Sequence, residues 1–112
     1  MSREYDLYLE KHKANVKKGD DFCRLFNEVF TSDQITDIEV ACQYGGIHLD
    51  YFTLFHHDDE FYIVHRNSGI MISYYKNLGR INTYNRPGFT LDDFGVFLKL
   101  LKEELLGYGL IK

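Results

Sequence analysis

The sequence contains no tryptophan, one proline and only two cysteines among its 112 residues. Two cysteines do not make the disulfide framework of a small secreted scaffold. Without a CxxC pair they also do not supply a structural zinc site of the usual kind. We therefore expect Cys23 and Cys42 to be reduced and to act as small, buried or half-buried hydrophobic residues.

Long hydrophobic runs are missing as well. No apolar run approaches the roughly 20 residues that a membrane span requires, and residues 1–6 lack the apolar stretch of a signal peptide. We therefore expect a cytoplasmic protein that makes no contact with a membrane. The length of 112 residues predicts a single domain, 1–112, with one modest core.

Catalytic motifs are also lacking. The sequence has no HExxH pair, no glycine elbow around a serine or cysteine, and no phosphate-binding loop. Its one glycine pair, Gly45-Gly46, and the single Gly69 have the flanking residues of turns. We predict that the protein is not an enzyme and that it carries no cofactor.

Aromatic residues, by contrast, are plentiful: nine tyrosines and nine phenylalanines make up 16% of the chain. The stretch 47–75 has three runs of β-branched and aromatic residues separated by two short polar turns. Such runs are typical of antiparallel strands joined by hairpins. The stretch therefore predicts a three-stranded meander.

The two turns predict a register for this meander. A two-residue turn at 58–59 would place Phe52 opposite His65. A second two-residue turn at 68–69, whose glycine supplies a positive φ, would place His65 opposite Ile72.

Because side chains alternate along a strand, the register also predicts two sheet faces. The predicted core face is mostly apolar and carries Phe52, Leu54, Ile63, His65, Ile70, Ile72 and Tyr74. The opposite face is amphipathic and carries Tyr51, Thr53, Phe55, Tyr62, Val64, Arg66, Met71, Ser73 and Tyr75. A slip of one residue in a turn would exchange the two sets.

The flanking segments complete an α+β fold. Apolar residues at helical spacing predict two N-terminal helices, over 2–18 and 20–30, and a C-terminal helix that begins after Thr90. Alternation over 35–44 predicts a first strand ahead of the meander, and 81–84 predicts a short fifth strand at an edge. We expect an antiparallel sheet of four or five strands, with the C-terminal helix and the other helices on the core face.

Charge is segregated along the chain. Residues 19–60 hold ten acids and one base, whereas residues 61–89 hold four bases and no acid. An acidic surface is predicted from the first segment, at Asp20, Asp21, Asp37, Glu39, Asp58, Asp59 and Glu60. The alternatives are ordinary solvated charge or a dipolar surface that steers a charged partner.

So many rings on an amphipathic sheet face are unusual for a surface in water. We therefore predict a partner-binding surface on that face, used by another protein or by a second copy of this chain. Its predicted residues are Tyr51, Phe55, Tyr62, Arg66, Met71 and Tyr75.

The segment 5–19, with Tyr5, Tyr8-Leu9, His12 and Asn15-Val16, resembles the opening helix of an uncharacterised family of small proteins from Gram-positive bacteria and their phages. This resemblance implies a phage or mobile-element setting inside a bacterial host cell. The family's later His-Asp…Ser-Lys segment is absent here, so the resemblance implies no activity.

In size and net charge the chain also resembles the phage anti-CRISPR proteins, which are small inhibitors of bacterial defence nucleases. That resemblance implies a non-catalytic protein that binds a basic, nucleic-acid-handling nuclease such as a Cas effector. It carries no individual residues across.

Two alternative functions remain open from the sequence. The first is direct nucleic-acid binding by the basic aromatic segment 66–86, in which cations would neutralise phosphates and tyrosines would stack on bases. Its bases are Arg66, Lys76, Arg80 and Arg86. The second is a small metal-dependent enzyme built on His48, Asp50 and His65, which the register places on one face.

Overall fold

The computed structural model describes residues 20–76, 78, 80–84 and 88–112. Within these residues the chain forms three helices and one five-stranded sheet. The predicted helix over 2–18 and the segment that resembles the phage family lie outside the described residues. The helices are α1 (20–29), α2 (Ser32–Gln43) and α3 (Leu91–Gly107). The strands are β1 (Ile47–His48), β2 (Phe52–His57), β3 (Glu60–His65), β4 (Ile70–Tyr75) and β5 (Ile81–Tyr84).

The sheet is an antiparallel meander in which every strand pairs with its neighbour in sequence, in the order β1-β2-β3-β4-β5. Two helices precede it and one follows it. The predicted α+β class, the meander, the fifth strand at 81–84 and the C-terminal helix are therefore confirmed. None of the described helices is both long enough and apolar enough to span a membrane.

The predicted strand over 35–44 is wrong, because these residues belong to α2. Thr31 caps this helix by accepting from the backbone N–H of Gln34, and the Gln34 side chain accepts from the backbone N–H of Thr31. This reciprocal capping box is an N-terminal helix signal. Ile35, Ile38 and Cys42 are buried along one stripe at helical spacing. The alternation that had predicted a strand is that of Ile38, Val40, Cys42 and Tyr44.

The first hairpin has the predicted register, with Phe52 opposite His65. The second hairpin differs: His65 lies opposite Ile70, not Ile72, because the connection is a four-residue loop at 66–69. Gly69 closes this loop with φ of 72°. Because the register shifts by two residues, the side chains of β3 and β4 stay on their predicted faces.

The three described helices pack on the predicted core face, which we call the inner face. The Phe26 ring of α1 lies 5.2 Å from the Tyr74 ring, and the Phe97 ring of α3 lies 5.3 Å from the Phe52 ring. On α2, the Cys42 carbonyl oxygen lies 3.1 Å from His56 Nδ1, at the end of β2. The core thus sits between one sheet face and one helical layer.

Both cysteines are free and buried within this core, as predicted. Burial raises the pKa of the Cys42 thiol to about 12, with the charge of Glu39 adding to the effect. Cys42 is therefore protonated at neutral pH. Its role is that of a small hydrophobic residue.

Candidate functional site

The sheet face opposite the helices, which we call the outer face, is the candidate site. The observed pairings place these side chains on it: His48, Thr53, Phe55, Glu60, Tyr62, Val64, Met71, Ser73, Tyr75 and Asn82. Most are half-buried, and Tyr75 is 49% exposed. No described helix covers this face. It is a surface of rings, aliphatic groups and hydrogen-bonding groups rather than the charged surface that a solvated sheet face usually presents.

Glu60 organises the polar part of the outer face. Its carboxylate accepts a hydrogen bond from the Tyr62 hydroxyl at 2.9 Å and another from the Ser73 hydroxyl at 2.6 Å. Hydrogen bonds to a charged acceptor are shorter and stronger than neutral ones. Side chains of β3 and β4 are therefore joined, and the Tyr62 ring is held in one orientation.

A ring pair lies beside this carboxylate. The Phe55 and Tyr62 rings stack across β2 and β3 with centroids 4.9 Å apart and planes 5° from parallel. Such a cross-strand aromatic pair contributes about 0.2–1 kcal/mol. The outer face therefore has a rigid aromatic centre.

The six residues predicted for partner binding divide into two groups. Phe55, Tyr62, Met71 and Tyr75 lie together on the outer face. Tyr51 and Arg66 lie in the connections at one end of the sheet. The structure thus brings four of the six together.

Arg66 has a local structural role. Its guanidinium donates to the backbone carbonyl oxygens of Leu49 and Asp50, and its backbone N–H donates to the Tyr51 carbonyl oxygen at 2.9 Å. These bonds tie the loop after β3 to the turn between β1 and β2. Arg66 is therefore committed to the fold before any partner binds.

The basic residues of the segment 66–86 do not form one patch. Arg66 follows β3 at one end of the sheet, whereas Lys76 and Arg80 flank the far end of the β4–β5 pair. A six-residue strand separates the two ends, roughly 20 Å. Arg86 lies outside the described residues. The geometry thus gives no continuous track for a phosphate backbone among the described bases.

The predicted acidic residues are also dispersed. Asp20 and Asp21 belong to α1, Asp37 and Glu39 to α2, and 58–60 to the turn and first residue of β3. Glu39 is only 9% exposed, so it is buried rather than part of a surface.

Its environment perturbs the ionisation of Glu39. Burial raises the pKa of its carboxyl group, and the nearby charge of Lys76 partly opposes that effect. The folded state therefore favours the neutral carboxyl group of Glu39, and ionisation of this group lowers the stability of the fold.

The residues proposed for a metal are not brought together. His48 pairs with Thr53 and so lies on the outer face, whereas His65 pairs with Phe52 on the inner face. The sequence-based placement of both histidines on one face is therefore wrong. Among the described residues no group of three or more histidine, cysteine, aspartate or glutamate side chains converges as a metal site would require.

Sequence reasoning found the outer face but missed the function of Glu60 and Ser73 on it. Glu60 had been grouped with exposed acids of the turn, although its alternation with Tyr62 already placed it on the aromatic face. Ser73 lies opposite Tyr62, is fully buried and donates its hydroxyl to Glu60. No family model, curated protein or solved structure matches this chain.

Proposed function

We propose that this chain is a non-catalytic protein-binding module and that it binds its partner through the outer face. The observation that carries the proposal is the set of partly buried rings and aliphatic groups, with the half-exposed Tyr75, on a sheet face that no described helix covers. Contiguous apolar surface of this kind, bordered by polar groups, is typical of interaction sites.

The composition of the face supports a protein partner. Tyrosine, phenylalanine and methionine are enriched in the centres of protein interfaces. The stacked Phe55–Tyr62 pair and the Glu60 hydrogen bonds hold these groups in place before binding. Pre-ordered side chains lose less conformational entropy on association, which favours affinity. Tyr62, Met71 and Tyr75 are the proposed anchors.

The charge at one end of this face suggests the kind of partner. Asp58 and Asp59 are exposed in the turn that joins β2 to β3, directly beside Glu60. Opposite charge on a partner would accelerate association there and fix its orientation. We propose a basic groove of a nucleic-acid-handling nuclease, such as a Cas effector, which this protein would inhibit by occupying the groove. The resemblance in size and charge to anti-CRISPR proteins supports this part of the proposal.

The test is an affinity pull-down from a bacterial lysate treated with nuclease, with wild-type protein and two variants as bait. Tyr75→Ser removes an exposed ring from the outer face. Tyr44→Ser is the matched control, because Tyr44 is 78% exposed at the end of α2, in the layer behind the sheet. We expect a nuclease-resistant protein partner that Tyr75→Ser loses and Tyr44→Ser keeps. The partner's cleavage of a labelled oligonucleotide is then measured with and without this protein.

Several outcomes would contradict the proposal. Equal capture by both variants would remove the outer face from the interface. A partner whose cleavage is unaffected would remove the inhibitor part. Loss of every partner after nuclease treatment would favour direct nucleic-acid binding, and concentration-dependent dimerisation abolished by Tyr75→Ser would favour a second copy as the occupant.

A further inference from the structure

A second surface lies on the helical side of the molecule, away from the outer face. Two adjoining cavities, of about 630 Å³ and 480 Å³, run along α3 and share His65 and Leu100. We call them together the α3 groove. Volumes of several hundred Å³ are typical of sites that enclose a ligand or a partner's side chains.

The larger cavity is acidic and aromatic. It lies where the turn between β1 and β2 meets the last turns of α3, and its lining includes three carboxylates and two half-exposed tyrosines: Asp50, Glu103, Glu104, Tyr51 and Tyr108. No lysine or arginine is among the described residues that line it. The Arg66 guanidinium donates to the backbone carbonyl oxygens of Leu49 and Asp50, and no ion pair joins it to a carboxylate of the described residues.

Two of these carboxylates are held in position by hydrogen bonds to one of their two oxygens. Glu104 Oε1 accepts the backbone N–H groups of Tyr51 at 2.9 Å and Phe52 at 3.2 Å, and Asp50 Oδ1 accepts the Tyr108 hydroxyl at 2.7 Å. Glu104 Oε2 and Asp50 Oδ2 accept no hydrogen bond from the described residues. The cavity therefore presents oriented acceptor oxygens that are not used by the fold.

The Tyr108 hydroxyl is protonated at neutral pH and donates to Asp50. The bond to Asp50 raises the pKa of the Tyr108 hydroxyl, and the negative charges of Asp50 and Glu104 add to this effect while Arg66 opposes it. The hydroxyl therefore stays protonated and the Tyr108 ring stays fixed beside the carboxylates.

The smaller cavity is mainly apolar. Its lining includes Ile70 of β4, Phe89 before α3, and Val96, Phe97 and Leu100 of α3. Val96 is 60% exposed and Leu100 is 44% exposed, which is high for aliphatic residues on a helix that also has a fully buried stripe. These two side chains form the rim that an apolar group would cover.

We propose that the α3 groove binds an extended segment of a partner protein that places an arginine in the acidic cavity and an aliphatic side chain in the apolar cavity. The charge of the acidic cavity requires a cation. Arginine fits better than lysine, because its planar guanidinium pairs with two carboxylate oxygens at once and stacks on tyrosine rings. Arginine and tyrosine are also the residues on which interface affinity most often depends.

This site is separate from the outer face and does not depend on the function proposed there. The probes are synthetic, acetylated and amidated peptides in which one arginine and one leucine are separated by none, one, two or three glycines. Matched peptides carry citrulline, the neutral isostere, in place of arginine, or serine in place of leucine. Binding is followed by shifts of the backbone amide signals of the ¹⁵N-labelled full chain.

We expect at least one arginine–leucine peptide to shift the amide signals of 65–70, 50–52 and the outer turns of α3. The citrulline and serine counterparts should each bind roughly tenfold more weakly, since each lacks one charge-assisted or one apolar contact. Glu103→Gln should weaken binding of the arginine peptide and leave the affinity for the citrulline peptide unchanged. Glu28→Gln, an exposed glutamate on α1, is the control for loss of one negative charge and should change neither.

Equal affinity for arginine and citrulline peptides would overturn the proposal, as would shifts confined to residues outside the groove. The absence of shifts with every peptide would overturn it too. If free arginine amide bound as tightly as the best peptide, the site would be one for small cations and the proposed protein segment would be wrong. Groove signals that changed on dilution without peptide would identify a second copy as the occupant, which would also overturn it.

Discussion

The two faces of the sheet are made from the same strands, yet they are built for different tasks. On the inner face Leu54, Ile63 and Ile72 are fully buried by the helices. On the outer face Phe55, Tyr62 and Met71 are only partly buried, and the Glu60 carboxylate accepts hydrogen bonds from two hydroxyl groups. The inner face gains stability from apolar burial, whereas the outer face uses hydrogen bonds to hold rings at the surface. Because neighbouring residues of a strand point to opposite faces, one set of side chains can stabilise the fold while the next set remains available for binding.

The largest loss of stability should come from truncating a buried side chain of the inner face. Ile63→Ala removes three carbons of a fully buried side chain and leaves a cavity in the core, so we expect a loss of about 2–5 kcal/mol in the free energy of unfolding. Val64→Ala removes two carbons from the outer face and should cost about 1 kcal/mol or less. Urea unfolding followed by circular dichroism measures both. Equal losses would mean that the two faces are equally packed.

The next effect concerns the outer face alone. Glu60→Ala removes the acceptor of hydrogen bonds from Tyr62 and Ser73, and we expect a loss of about 1.5–3 kcal/mol because each bond involves a charged group. Asp59→Ala, one residue away in the exposed turn, should stay within about 0.5 kcal/mol of wild type. The same urea experiment compares them. A Glu60→Ala variant as stable as Asp59→Ala would show that the hydroxyl–carboxylate bonds contribute nothing to stability.

A third change should strengthen the helical layer. A Cβ at Gly95 would lie 3.8 Å from Leu25 Cδ2, which is ordinary van der Waals contact. Gly95→Ala should therefore stabilise the protein by about 0.5–1 kcal/mol through helix propensity and reduced unfolded-state entropy. The melting temperature should rise. A fall would show that α1 and α3 need to approach more closely than an alanine permits.

The smallest effect concerns Glu39, a buried glutamate of α2. Because burial raises the pKa of Glu39 in the folded state, its contribution is favourable below the ordinary carboxyl pKa of about 4.3 and is lost as pH rises through the raised value. Glu39→Gln should therefore melt slightly higher than wild type at pH 7, and the difference should vanish in acid.

Thermal melts across this pH range measure the difference. The nearby positive charge of Lys76 opposes the effect of burial, so the difference in melting temperature should be small. Glu28→Gln serves as the control for the loss of one charge at an exposed position. A difference in melting temperature between Glu39→Gln and wild type that grew toward low pH would contradict this explanation.

The sequence sufficed for the meander because alternation and turn residues are local signals. Phe52, Leu54 and Ile63 could be assigned to the buried face from spacing alone. The helix α2 was missed because Ile38, Val40, Cys42 and Tyr44 alternate, although Ile35, Ile38 and Cys42 keep helical spacing. The capping signal, Thr31 followed three residues later by Gln34, would have decided between them.

The candidate surfaces were predicted less completely, for a physical reason. Four of the six residues predicted for partner binding lie on the outer face, and their placement there follows from strand alternation. The α3 groove depends on Asp50 and Tyr51 meeting Glu104 and Tyr108, more than fifty residues later, and no periodicity links them. Arg66 shows the same limit, since nothing in its neighbourhood in sequence indicates that it donates to the Leu49 and Asp50 carbonyl oxygens.

The order of the strands also bears on how the chain reaches this structure. Because each strand pairs only with its immediate neighbour in sequence, every step of sheet assembly closes a short loop and loses little chain entropy. Proteins with such local pairings fold faster than those whose sheets join distant segments. Because the turn at 58–59 is short, pairing β2 with β3 loses the least chain entropy, so this hairpin can form first. The remaining strands can then add to it on either side. A chain of this design passes quickly through the states in which its aromatic strands are exposed to other molecules.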